Sequence, residues 1–142
     1  MDKYDSLKIE NQLCFPLYAA AKEVVGKYHG LLEKLDLTYT QYIVMMVLWN
    51  SPSMNVKELG ERVYLDSGTL TPLLKKLESK GYITRERKKD DERNVIVSLA
   101  QKGVKLKDKA VHVPMEIGGC IPLTEEEAKT LYTLLYKILN NL

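Results

Sequence analysis

Residues 63–100, "VYLDSGTLTPLLKKLESKGYITRERKKDDERNVIVSLA", decide the fold of this chain. Asp66 is of a type that caps helices, and Leu70, Leu73, Leu74 and Leu77 follow at helical spacing. The helix is predicted to run to Lys80, because Gly81 stands where a left-handed closing residue belongs. Then Ile83, Arg85 and Arg87 alternate with Thr84 and Glu86, "KKDDER" turns, and Val95, Ile96, Val97 and Leu99 form an apolar run. That pattern reads as strand, charged turn, strand. Just upstream, Asn55 with Glu58 three residues on caps a short helix carrying Val56, Leu59 and Val63. Helix, tight turn, helix and basic-tipped hairpin make a winged helix-turn-helix over residues 38–100.

Such a unit lays its second helix in the DNA major groove, its first residues toward base edges. Here those residues are Ser67, Thr69, Thr71 and Pro72; hydroxyls bond bases or phosphate, and threonine methyls touch thymine. Lys75 and Lys76 follow, placed for phosphate. The wing supplies Arg85, Arg87, Lys88, Lys89 and Arg93, the side chains a narrow minor groove attracts. Net charge is only +2, but Lys75 to Arg93 holds eight basic residues against five acidic ones. A charge run of this size also suits a solvated surface, so the case rests on its coincidence with the helix-turn-helix order.

Residues 7–35 read as one long amphipathic helix. Leu13, Leu17, Ala20, Val24, Tyr28, Leu31 and Leu35 form one row, and Cys14, Tyr18, Ala21, Val25 and Leu32 a second. The combined face is wider than one neighbouring helix needs. Pro16 either kinks this helix or marks where it properly begins. Thr38 with Gln41 is a capping box for a helix to about Asn50, which "SPS" breaks. Helix resumes from 101 to about 113, "VPMEIGGCIP" breaks it, and Thr124 with Glu127 opens a last helix through Leu139. The predicted order is α-α-α-α-β-β-α-α.

A chain of 142 residues with 45% hydrophobic and 28% charged content fits one domain of the ordinary globular class. The longest apolar run, Tyr42 to Trp49, is too short to span a bilayer, so no membrane association is expected. The polar start "MDKYDSLKIENQ" does not read as a signal peptide. Two cysteines far apart make no disulfide framework, and a reducing, cytoplasmic setting is expected. His29 and His112 are isolated from any ligand-spaced partner, so neither a metal nor another cofactor is expected.

Cys14 then needs a reason. A free cysteine is often simply a small buried hydrophobe. A reactive one needs help to ionise, from a cation, a helix N-terminus or hydrogen-bond donors such as tyrosine hydroxyls. The chain has nine tyrosines against one phenylalanine.

The stretches "VYLDSGTLTPLLKKLE" from Val63 and "DDERNVIVSLAQKG" from Asp90 resemble the MarR family of dimeric winged-helix regulators. The resemblance covers almost the whole chain. "ENQLCFPLYAA" and "LDLTYTQYIVMMVLW" narrow it to the OhrR group, which senses organic hydroperoxides through one N-terminal cysteine. It implies a homodimeric repressor on a pseudo-palindromic operator, released when Cys14 is oxidised. Residues 1–37 and 101–142 would form the dimerisation region. It also implies that Tyr28 and Tyr39, with Tyr18 close by, hold the thiolate. Tyr28 lies fourteen residues from Cys14, about 21 Å along one continuous helix, so the two meet only across a dimer. Two-cysteine members further imply that Cys120 resolves the oxidised sulfur in a disulfide between subunits; other members use small-molecule thiols.

Two rival readings remain. A MarR-type repressor released by a small ligand needs the same DNA unit and no reactive cysteine. A thiol-dependent peroxidase needs the cysteine but no basic wing. The expectation is a regulator, not an enzyme.

Overall fold

The computed structural model describes residues 1–142, the side chain of Glu92 excepted. Two short 3-10 turns, Asp5–Leu7 and Ile9–Asn11, lead into α1 (Cys14–Lys27) and α2 (His29–Glu33). The expected single helix over 7–35 is therefore corrected at both places where backbone preferences oppose it. It starts only at Cys14, with Pro16 in the first turn, where a missing N–H costs no hydrogen bond. It tightens at Tyr28, whose N–H bonds the Val25 carbonyl at 3.1 Å. Gly26 and Gly30, both weak helix formers, flank that tightening.

Helix α3 (Tyr39–Asn50) begins at the expected capping box: Thr38 Oγ1 accepts from Gln41 N, and Gln41 Oε1 from Thr38 N. It is central because it is apolar on nearly every side, and Val44, Met45 and Leu48 are wholly buried. Strand β1 (Ser53–Asn55) follows, then α4 (Val56–Val63), capped by Asn55, and α5 (Ser67–Ser79), capped by Asp66. Gly81 has φ +81, as its place after the helix required. The wing is β2 (Ile83–Lys88) and β3 (Asp91–Leu99). The sheet order is β1-β3-β2, all antiparallel, with Ser53 opposite Ser98 and Ile83 opposite Leu99. β1 was not expected: it has three residues beside Pro52, and its existence depends on β3.

Helices α6 (Gln101–Ala110), α7 (Val113–Gly118) and α8 (Glu125–Leu139) complete the chain. The predicted helix to about 113 and break at "VPMEIGGCIP" are corrected: helix is interrupted earlier, at Val111 and His112, resumes as α7 with Pro114 in its first turn, where proline is tolerated, and stops at Gly118. Trp49 Nε1 donates to the Gly103 carbonyl at 2.9 Å and joins α3 to α6. Gly103 is required there, since a Cβ would collide with the Tyr82 carbonyl and the Leu99 side chain.

Leu48, Leu59, Leu70, Leu74, Leu77, Ile83 and Val97 share one core under the helix-turn-helix. By contrast, α1 and α8 contribute no buried residue among those described. Leu17, Val25, Leu131, Leu134 and Ile138 stand exposed instead. No helix among the described residues is long and apolar enough to cross a membrane.

Candidate DNA interface and thiol site

The amphipathic pattern of α5 sorts its residues. Leu70, Leu73, Leu74 and Leu77 turn into the core, which leaves Ser67, Thr69, Thr71, Pro72, Lys75 and Lys76 exposed. Asp66 Oδ1 accepts from Thr69 N at 2.8 Å and fixes the start of the helix. Pro72 lies inside α5 and has no N–H to return to the Gly68 carbonyl, so that carbonyl is left for another donor. On the wing, strand alternation turns Arg85 and Arg87 to one face and Thr84 and Glu86 to the other.

Between α4, α5 and the wing lies a concavity of about 1000 Å³. Ser67, Thr71, Lys75, Arg85, Arg87 and Arg93 line it. Thr69, Pro72, Lys76, Lys88 and Lys89 are exposed outside its lining. Arg85 differs from its neighbours on the wing. It is half-buried and held by Glu78: its backbone N–H and its guanidinium each donate to that carboxylate at 3.1 Å. Lys57 and Tyr64 also line the concavity, and the sequence singled out neither. Tyr64 is 59% exposed and left-handed, with φ 57, at the turn between the two helices.

Cys14 is the first residue of α1 and is exposed, with Tyr18 one turn later on the same face. Tyr28 and Tyr39 pack ring to ring at 4.9 Å, and the buried Tyr42 joins them at 5.8 and 6.3 Å. Tyr42 was read only as part of an apolar run, and its place in this cluster depends on α3 facing Tyr28. Burial, and secondarily Tyr39, raises the pKa of Tyr28; burial, then Tyr28 and Tyr39, raises that of Tyr42. Both phenols therefore keep their protons and remain donors. A hollow of about 290 Å³ beside them is lined by Val25, Tyr28, His29, Leu32, Tyr39 and Lys80, among others. Within one chain, Cys14 lies at the far end of α1 from this cluster. Cys120 is exposed in the loop after α7, its N–H bonded to the Ile117 carbonyl at 2.9 Å. Among the described residues, no group of His, Cys, Asp and Glu gathers where it could hold a metal.

A helix-turn-helix with a cation-lined concavity and a wing defines a winged-helix, DNA-binding transcriptional regulator. Comparison with known proteins makes the assignment specific. The family described as transcriptional regulator SarA/Rot matches residues 27–110. An organic hydroperoxide resistance transcriptional regulator of Bacillus subtilis is 48% identical over 141 residues, covering 99% of this chain and 96% of the relative. Reduced AbfR bound to DNA superposes with a TM-score of 0.79 at 31% identity, over 97% of this chain and 96% of that one. Disulfide-formed AbfR gives a TM-score of 0.65 at 32% identity, over 97% and 94%. AbfR is a protein of Staphylococcus epidermidis. The chain belongs to the SarA/Rot and MarR class of transcriptional regulators, and within it to the OhrR-like group. These relatives are regulators rather than enzymes.

Proposed function

We propose that this protein is a homodimeric repressor that binds a pseudo-palindromic DNA operator and leaves it when an organic hydroperoxide oxidises Cys14. The observation that carries the reading is the position of Cys14 and the tyrosine cluster at opposite ends of the uncovered helix α1. An exposed thiol opens α1 on an uncovered apolar face, while Tyr28, whose phenol burial keeps protonated, lies fourteen residues further on and packs against Tyr39. The helix length keeps them apart in one chain, and a second copy packed antiparallel along α1 brings each thiol to the other's Tyr28 and Tyr39. The hydroxyls then donate to the thiolate and hold it ready, with Tyr18 beside it.

The chemistry is balanced by the peroxide. The thiolate sulfur attacks the outer peroxide oxygen, the O–O bond breaks, and the alcohol departs with a proton from solvent. The sulfur becomes a sulfenic acid. Cys120 of the other copy then displaces water from it and forms a disulfide. Its loop between α7 and α8 gives it freedom to approach, and a disulfide needs the two Cα atoms within about 7 Å. Either event removes the acceptor that the tyrosines held.

Release follows from spacing. Two copies of α5 must lie about 34–36 Å apart to enter successive major grooves, with Ser67, Thr69, Thr71 and Pro72 at the bases. Lys75, Lys76, Arg87, Lys88, Lys89 and Arg93 neutralise phosphates around them. A small rotation of the dimer halves spoils that fit. The DNA-bound AbfR and its disulfide form offer a precedent for one scaffold having both states.

The disulfide is tested by non-reducing electrophoresis after cumene hydroperoxide. Wild type is expected to run as a covalent dimer, and Cys14→Ser and Cys120→Ser as monomers. A covalent dimer in Cys120→Ser would exclude that residue as the resolving thiol.

A further inference from the structure

The last turn of α5 is tied to two other parts of the molecule. Glu78 holds the base of the wing through Arg85. Lys80, at the end of the helix, reaches the corner between α2 and α3. Its ammonium donates to the Asp36 carbonyl at 2.7 Å and to Gln41 Oε1 at 3.1 Å, with the Asp36 carboxylate at 3.4 Å. An ammonium has three donors, and here three acceptors meet it. Two residues on, Tyr82 donates its hydroxyl to the Leu35 carbonyl at 3.0 Å.

The corner so gripped is a special one. Asp36 has φ 56, a conformation that a non-glycine residue keeps only when its surroundings fix it. Gln41 is buried, and its Oε1 also takes the Thr38 N–H, so the same oxygen serves the cap of α3 and Lys80. Tyr28 and Tyr39 stand on either side. The Tyr28 carbonyl accepts from Leu32 N, Leu37 N closes on the Leu32 carbonyl, and α3 starts at Tyr39. Lys80 also lines the hollow beside both tyrosines.

We propose that Lys80 is a positioning residue, the latch through which the Tyr28–Tyr39 corner sets the pitch of the DNA-reading helix. The proposal rests on the thiol-switch reading above and names the link that reading lacks. With the corner in place, Lys80 holds the end of α5 at the angle that fits DNA. When the tyrosines lose their partner and shift, the Asp36–Gln41 acceptors move, and α5 moves with them because the half-buried ammonium follows its partners.

Lys80→Met keeps the long stem and deletes the donors. Operator affinity of reduced and cumene hydroperoxide-oxidised protein is measured by fluorescence anisotropy, with Cys14 oxidation followed by mass spectrometry. In Lys80→Met, Cys14 is expected to oxidise at the wild-type rate while the oxidised-to-reduced Kd ratio falls by about tenfold. Lys80→Arg restores most of that ratio. Tyr82→Phe, which removes only the parallel bond, lowers it less. Lys80→Gln, which removes the charge and shortens the stem, decides by the same criterion should Lys80→Met not fold. A folded Lys80→Met, or in its place Lys80→Gln, with the wild-type ratio overturns the proposal. A fully oxidised wild type that stays bound overturns the thiol-switch reading instead.

Discussion

In the proposed thiol switch, the side chains that govern what the thiol does are the tyrosines. A phenol that has lost its proton repels a thiolate, whereas one that keeps it donates. Burial keeps the proton on Tyr28. Tyr28→Phe and Tyr39→Phe are each expected to slow Cys14 oxidation about tenfold, the size of a hydrogen bond to a charged group. Stopped-flow loss of thiol under organic hydroperoxide measures this, and wild-type rates in both variants would remove the tyrosines from the site. Burial has a second consequence. The folded state holds the Tyr28 and Tyr42 protons above the ordinary tyrosine pKa of about 10, and the unfolded chain releases them there. Stability is therefore fully present below that pH and falls as pH rises beyond it. The drop in Tm from about pH 9 to about pH 11 should be smaller in Tyr28→Phe. Of this cluster, Tyr28 and Tyr39 were legible through the family resemblance. Tyr42 was not, because an apolar stretch does not show which of its residues meets which neighbour.

Elements were legible where a side chain closes its own helix end. Thr38, Asn55, Asp66 and Thr124 each accept the backbone N–H that their capping patterns required. What stayed hidden was conditional on something remote. β1 exists because β3 lies beside it, and the interruption at Tyr28 belongs to Gly26 and Gly30 as well as to the rings packed on that residue. Pro114 looked like a breaker only while the start of α7 was unknown. The wing shows the same limit. Arg85, Arg87 and Arg93 look alike in sequence, but Glu78 already occupies Arg85. Arg87→Ala and Arg93→Ala should each lower the slope of log K against log salt by about one, as expected for a lost phosphate contact. Arg85→Ala should weaken binding with less change in slope, because it loosens the wing. Equal slopes for all three variants and wild type would place the wing off the DNA.

On the scale of the whole molecule, the uncovered faces of α1 and α8 stand out. Leu17 and Val25 on α1, and Leu131, Leu134 and Ile138 on α8, are apolar and exposed in one chain. A face of this extent is what a second copy covers. Sedimentation is expected to show a dimer, and Leu131→Asp to shift it toward monomer while the helix-turn-helix keeps its fold by circular dichroism. A monomeric wild type would leave Cys14 without Tyr28 and Tyr39. The wide apolar face was readable in the sequence; how it meets its counterpart was not, since the spacing of residues in one chain does not fix the packing of two.

Control of DNA binding by one sulfur is read out by fluorescence anisotropy on the protein's own upstream DNA, at fixed salt. Wild type and Cys14→Ser are titrated with an organic hydroperoxide and then with dithiothreitol. Wild type is predicted to release the DNA and rebind it, and Cys14→Ser to stay bound throughout. Wild type that remains bound with Cys14 fully oxidised would mean that the sulfur is not the switch.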